Sequence, residues 1–288
     1  MPFRFSSKSA RRKAREPWQQ VSLVAGYLAG RHFVGTSDLH YGLWVEGIEP
    51  QIRNLPCAQE AYSQFILEHI PRGAGHILDV GSGAGSIACK LVARGHQVDC
   101  VSPSVFLNQQ ARDRLGDRAR IFECAYEDFQ TTETYDAIVF CESFQYVNIC
   151  RALEQITSQL RRGGHLVICD FFRLPANGKS PISGGHNITA FNEAITKFPL
   201  QLVENIDITS QTAPTFTVID QAFTDVLKPI WDEGNAAFAK THPLWSKFVT
   251  FLFRRRLAKV QKKYFSHERS AENFQKFKTY RLMRFERH

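Results

Sequence analysis

The residues best placed to do chemistry lie together at positions 76–85, where the chain reads His-Ile-Leu-Asp-Val-Gly-Ser-Gly-Ala-Gly. A short apolar run ends in a carboxylate, Asp79, and Gly81, Gly83 and Gly85 follow at once. Glycines in this pattern remove side chains where backbone must approach a ligand and where φ turns positive. A dinucleotide would require Gly-x-Gly-x-x-Gly, so that its pyrophosphate rests on the amides opening the next helix. Here the third position is Ser86, and Asp79 would set a negative charge beside those phosphates. A carboxylate next to a glycine turn suits a ligand that carries positive charge and no phosphate.

The elements around this turn decide where it sits. From position 76 apolar runs alternate with helical stretches: 77–80, 86–94, 97–101, 105–115, 119–124, 137–141, 151–161 and 165–170. That alternation predicts an α/β fold, a doubly wound parallel sheet with helices on both faces. In such sheets ligands bind outside the carboxyl ends of the strands, which places the glycine turn at the site. Two further strands are expected at 202–208 and 280–285, with a helical stretch at 218–265 between them. The sheet then has seven strands, mostly parallel, with a helical insertion before the last. Upstream, 19–33 and 59–69 read as helices separated by the aromatic stretch His40-Tyr41-Gly42-Leu43-Trp44. The resulting division is a basic, helical extension with an aromatic loop (1–58), a core (59–209), a helical insertion or lid (210–276) and a last core strand (277–288).

Asp79-Val80-Gly81-Ser82-Gly83-Ala84-Gly85 resembles the first motif of class I S-adenosylmethionine-dependent methyltransferases. The resemblance extends over about 65–208 and the last strand, and it is nearest to the small-molecule and lipid branch of tocopherol, cyclopropane-synthase-like and ubiquinone-type enzymes. It implies S-adenosyl-L-methionine as cofactor and S-adenosyl-L-homocysteine as product, a ligand with an ammonium, a sulfonium and no phosphate. On this resemblance Asp79, Gly81, Ser82, Gly83 and Gly85 line the cofactor site. Ser102 and Pro103 stand where the family usually holds an acid for the ribose hydroxyls, a departure that the cyclopropane-synthase and tocopherol branch tolerates. Tyr126 and Glu127 correspond to the adenine-side segment after the third strand. Cys141 and Glu142 end the fourth strand, where cofactor and substrate meet.

A sulfonium is already an activated methyl donor, so the protein must chiefly align a nucleophile and exclude water. A general base is needed only where the nucleophile loses a proton. The candidates are His40, Tyr41, Glu142, Tyr146 and His186. His40 and Tyr41 resemble a stretch that folds over the cofactor in related enzymes, and they read equally well as a packed aromatic turn. His186, after Ser183-Gly184-Gly185, reads either as part of a closing loop or as a solvated histidine. No metal site is expected. Phe216, Phe223, Trp231, Phe238, Trp245, Phe248, Phe251 and Phe253 crowd the insertion, and a lid of such residues could roof an apolar substrate cavity.

The chain of 288 residues carries a formal charge of +8, concentrated in two clusters. One holds Arg4, Lys8, Arg11, Arg12, Lys13 and Arg15; the other holds Arg254 to Arg256, Lys259, Lys262 and Lys263. Such clusters attract anionic partners or form a solvated helix face. An amphipathic small-molecule substrate with an anionic group, or peripheral contact with a membrane, fits them. Nucleic acid ranks second as substrate: Glu142-Ser143-Phe144 lacks the prolines that base-amine methylation uses after the fourth strand, and no RNA-binding module is evident. A cofactor-holding subunit without activity is a third reading, favoured only by Ser102. The seven cysteines (57, 89, 100, 124, 141, 150 and 169) lie largely in apolar segments and predict free buried thiols in a cytoplasmic protein, which the basic clusters could associate with a membrane.

Overall fold

A computed structural model describes residues 17–175, 178 and 180–288, with backbone only for 17–19, 262 and 263. The N-terminal cations Arg4 to Arg15 and the side chains of Lys262 and Lys263 lie outside the described residues. In chain order the elements are α1 (Pro17–Ala29), α2 (Leu55–Glu68), β1 (His76–Val80), α3 (Ser86–Ala93), β2 (Gln97–Val101), α4 (Val105–Leu115), β3 (Ala119–Phe122), β4 (Tyr135–Cys141), α5 (Ile149–Gln159) and β5 (Leu160–Arg173). They continue with α6 (Ile188–Ile195), β6 (Leu200–Asp207), α7 (Thr209–Thr212), α8 (Pro214–Gln221), α9 (Lys228–Thr241), α10 (Pro243–Tyr264), α11 (Ala271–Phe277) and β7 (Lys278–Arg287).

The strands form one seven-stranded sheet in the order β3-β2-β1-β4-β5-β7-β6, with β7 antiparallel to both neighbours. The fold class expected from the sequence is the one observed. Strand order reverses between β1 and β4, which defines the switch point at which open α/β sheets bind ligands. Period-two alternation distributes each strand between two cores. Ile77, Ala137, Val139, Val167 and Cys169 face one helical layer, while Leu78, Val80, Ile138, Phe140, Leu166 and Ile168 face the other. Polar side chains start these helices as their types predict: Ser104, Asn148, Asn187 and Ser270 each accept from a backbone N–H in the first turn of α4, α5, α6 and α11.

Some boundaries move. The fifth strand begins at Leu160, directly after α5, because Leu160 already pairs with Tyr135 and the register then shifts to Ala137 opposite His165. Gly163, at φ 72°, lets the surplus residues turn out between the two pairings. The first helix ends at Ala29 rather than 33, and a wider turn over Gly30–Val34 closes at Gly35 with φ 82°. All seven cysteines are free; Cys100 and Cys169 are buried as expected, whereas Cys57 and Cys150 are exposed because they lie on outward helix faces rather than strands. No described helix is long and apolar enough to cross a membrane.

The insertion leaves the sheet after Asp207 and returns at Lys278. Asp207 pairs with Arg281 and Lys278 with Arg173, so both roots stand at the carboxyl ends of the parallel strands. Its near part is anchored: the Phe216 ring lies 4.5 Å from Phe274 and 4.9 Å from Tyr41, and Trp44 Nε1 donates to Thr215 Oγ1 at 2.9 Å.

Candidate active site

A cleft opens at the switch point, over the carboxyl ends of β1, β2 and β4. Its floor is Asp79, Gly81, Ser82 and Gly83; Ser102 and Pro103 form one wall, Cys141, Glu142 and Tyr146 the other, and Leu23, Asp38 and His40 close over the top. It runs on past Gly81, Pro103 and Tyr146 into a second cavity lined by Glu123, Cys124, Tyr126 and Glu127. Segments far apart in sequence therefore line one continuous surface.

The turn after β1 is shaped for close approach. Gly81, Gly83 and Gly85 have φ of 77°, 56° and 76°. A Cβ on Gly81 would lie 2.3 Å from that of Ser143, while one on Gly83 would meet nothing within 4 Å in the protein. Gly81 thus serves the packing of β1 against β4, and Gly83 leaves open space on the cleft floor. Asp79 is 2% exposed, and its Oδ2 has no hydrogen-bond partner. Burial alone lifts this carboxyl to about 7. A buried carboxylate left unpaired is costly, and a cation in the cleft would relieve it. Asp38 repeats the feature from above: it lines the same cavity, and its buried Oδ1 also lacks a partner. Asp38 is not among the residues expected from the sequence, although its place two residues before His40 signals it.

Glu142 is the most constrained residue of the cleft. It sits at φ 53°, a left-handed conformation that a non-glycine residue adopts at a cost of about 1–3 kcal/mol. Three contacts hold it there. Its N–H donates to Cys169 O at 2.9 Å, and its Oε1 accepts from the Tyr41 N–H at 2.6 Å and from the Tyr280 hydroxyl at 2.7 Å. Burial raises its carboxyl to about 8, against the two donors, which pull the other way. Asp170, buried next along β5 from Cys169, is likewise raised by burial to about 7 and accepts from the Gln145 and Phe171 N–H groups.

The aromatic loop is fixed from α2. Gln59 Nε2 donates to His40 O at 2.6 Å and to Asp38 O at 3.2 Å, and Gly42 packs on Ala58, where a Cβ would come within 2.6 Å. The His40 ring stacks on Tyr62 at 4.5 Å. Nδ1–H donates to Tyr41 O at 2.9 Å, which leaves Nε2 near Ser63 Oγ and 3.6 Å from Asp38 Oδ2. Burial lowers its pKa despite the Asp38 charge. His40 lines the cleft, while Tyr41 turns its ring into a cluster with Phe171, Phe216, Phe274 and Tyr280.

Other expected residues distribute unevenly. Tyr146 lines both cavities. Ser102 reaches the cleft, but its Oγ accepts from the Ser104 N–H at 3.4 Å. Tyr126 lines the second cavity; its ring packs on Phe140 and its hydroxyl donates to Gln159 Oε1, so the phenol faces the core. Glu127 lines that cavity beside it. Gly85 opens α3 behind the cleft, packed on Ala111. His186 lies away from both cavities, its Nε2–H donating to Phe144 O at 3.0 Å. The insertion does not roof this cleft: none of the residues lining either cavity comes from 209–277. Of its aromatics Phe216 and Phe274 join the core, Phe223 and Trp231 pair with Tyr264 and Phe265, and the large side chains of α10 stay exposed. The reason is geometric, since α9 and α10 pack on each other rather than on the sheet.

Residues 78–168 match the model of a methyltransferase domain. With the fold and the orphaned carboxylate beside the glycine turn, this match supports a class I, S-adenosyl-L-methionine-dependent methyltransferase domain in the chain. Among curated proteins it is similar to methyltransferase GfsG of Streptomyces halstedii, 27% identical over 232 residues, 71% of this chain and 81% of that protein. Several other methyltransferase relatives are spanned over only 40–61% of their length. Among solved structures it resembles geranyl diphosphate C-methyltransferase from Streptomyces coelicolor A3(2) in complex with Mg2+, geranyl-S-thiolodiphosphate and S-adenosyl-L-homocysteine, with TM-score 0.66, 16% identity, and coverage of 94% of this chain and 98% of that one. It also resembles the [4+2]-cyclase SpnF, with TM-score 0.67, 16% identity, and coverage of 93% and 94%. These two neighbours differ in reaction, so the shared fold does not assign one.

Proposed function

We propose that the chain transfers the methyl group of S-adenosyl-L-methionine to a small hydrophobic or amphipathic molecule by in-line displacement, with Glu142 as the carboxylate at the reacting centre. The observation that carries this reading is Glu142 itself, a strained, half-buried acid on the cleft wall lifted to about 8. A group poised near neutrality can take a proton from the acceptor, or hold negative charge where positive charge develops.

The cofactor, when bound, supplies an activated methyl group. Asp79 and Asp38 would offer carboxylates to its cationic end, the open space at Gly83 would admit its main chain, and Ser102, Pro103 and the Glu123–Glu127 wall would flank its nucleoside. What remains for the chain is positioning. Tyr280 and the Tyr41 N–H hold Glu142 in one orientation, and His40, docked by Gln59 and Tyr62, fixes the loop that carries Asp38 over the cleft. The Streptomyces neighbour solved with geranyl-S-thiolodiphosphate supports a hydrophobic or amphipathic acceptor.

The test is incubation with S-adenosyl-L-methionine labelled in the methyl group and a panel of prenyl, acyl and aromatic acceptors, followed by organic extraction. Label in an extractable product, dependent on Glu142, is the expected result. Label confined to RNA or protein would contradict the reading.

A further inference from the structure

α10 is apolar on two opposite faces. At 100° per residue, Val249, Phe253, Leu257 and Val260 fall on one face, partly covered by α9. Leu244, Trp245, Phe248, Phe251 and Leu252, at i, i+1, i+4, i+7 and i+8, fall on the other and are 81%, 64%, 53%, 69% and 59% exposed. Five large apolar side chains in one stripe facing water are a surface that some partner covers. Cations accompany the stripe: the Arg254 guanidinium lies 5.4 Å from the centre of the Phe251 ring, and Lys247, Arg255, Arg256 and Lys259 continue along the helix. From 234 to 267 the chain has no Asp or Glu at all.

We propose that this face of α10 docks on an anionic lipid bilayer. The charge pattern selects that occupant. A second copy seated on the same stripe would set the cations of the two helices against each other, whereas a bilayer with anionic headgroups offers counter-charge at the rim and hydrocarbon beneath it. The aromatic and arginine-rich composition is that of an interfacial helix. The placement agrees: the insertion rises from Asp207 and Lys278, on the sheet edge that bears the cleft. A docked chain would therefore have its cleft edge on the membrane side. This inference stands apart from the substrate reading and would survive its failure.

The experiment is sedimentation of the full chain with vesicles of phosphatidylcholine alone and of mixed phosphatidylcholine and phosphatidylglycerol. Binding to the mixed vesicles should exceed binding to neutral ones by about tenfold or more and weaken as salt is raised. Two exposed-surface variants should each lose it about tenfold: Phe248→Ser with Phe251→Ser, and Arg254→Glu with Arg255→Glu and Arg256→Glu. Calorimetric binding of S-adenosyl-L-homocysteine, unchanged in both, reports that they are folded. Three outcomes overturn the proposal. One is equal binding to both vesicles, or to neither. A second is full binding by the Phe248/Phe251 variant, which would mean charge attraction without docking of the stripe. The third is a dimer in light scattering that dissociates in that variant while vesicles are ignored.

Discussion

The Tyr280 hydroxyl, on the last strand, donates to Glu142 Oε1 across 2.7 Å although the two residues are 138 apart in sequence. The Tyr62 hydroxyl stands 2.9 Å behind it. Donors to a carboxylate favour its charged form, so Tyr280 restrains the upward pull of burial on Glu142. Tyr280→Phe should then raise the Glu142 pKa further and move the acid limb of the pH–rate profile upward by about one to two units, the value of one hydrogen bond to a charged group. Cofactor affinity should not change. Glu142→Gln should lower turnover by about 10²–10⁴-fold at every pH. A purely structural Tyr280 would lower thermal stability in the phenylalanine variant and leave the limb where it is.

Asp79 should cost the cofactor-free protein stability in a pH-dependent way. Below about pH 4 the carboxyl is protonated in folded and unfolded chains alike, and there is no penalty. Between about 4 and 7 the unfolded chain ionises first, so stability falls as pH rises, and above about 7 the loss is complete. The upper bound is on the order of 4 kcal/mol. Asp79→Asn should therefore raise the melting temperature by several degrees at pH 8 and by little at pH 4, measured by calorimetry without ligand. A gain equal at both values would place the destabilisation elsewhere.

Two glycines of the turn should separate packing from binding. Gly81→Ala forces a Cβ to within 2.3 Å of Ser143 and should destabilise the fold by about 2 kcal/mol or more. Gly83→Ala meets no protein atom within 4 Å and should cost about 1 kcal/mol for its φ of 56°. It should still weaken cofactor binding at least about tenfold, since the added methyl occupies the cleft floor. Equal cofactor affinity in Gly83→Ala and the parent would remove Gly83 from the site.

The two histidines should part company. His186→Ala, away from both cavities, should keep kcat/KM within about twofold, whereas His40→Ala should lower it about tenfold or more by loosening Asp38. The reverse order would mean that the loop after β5 closes on substrate.

Much of this was legible in the sequence, and for a physical reason. Strands buried on both faces must be apolar throughout, and the turn at Gly81 and Gly83 must be bare, so β1, β4, β5 and the floor of the cleft announce themselves locally. Glu142 was legible by its place at the end of β4. What escaped depends on contacts between distant segments. Nothing near Tyr280 hints that its hydroxyl reaches Glu142, nor near Gln59 that its amide fastens Asp38 and His40. Tyr126 was placed in the cavity by position, but its ring follows the core because Phe140 and Gln159 offer it a better partner than solvent. His186 was grouped by its glycine-rich neighbourhood, and its imidazole was taken instead by the Phe144 carbonyl. The insertion misled by composition: aromatic residues on helices suggest a roof, yet α10 directs one apolar face at α9 and the other outward.

The most direct test of the account is calorimetric titration of S-adenosyl-L-homocysteine into the purified chain and into Asp79→Ala at pH 8. The parent should bind in the micromolar range, and the variant at least about thirtyfold more weakly, since the ligand's ammonium would lose its buried counter-charge. No binding by the parent, or equal binding by both, would contradict the assignment of this cleft and of Asp79 within it.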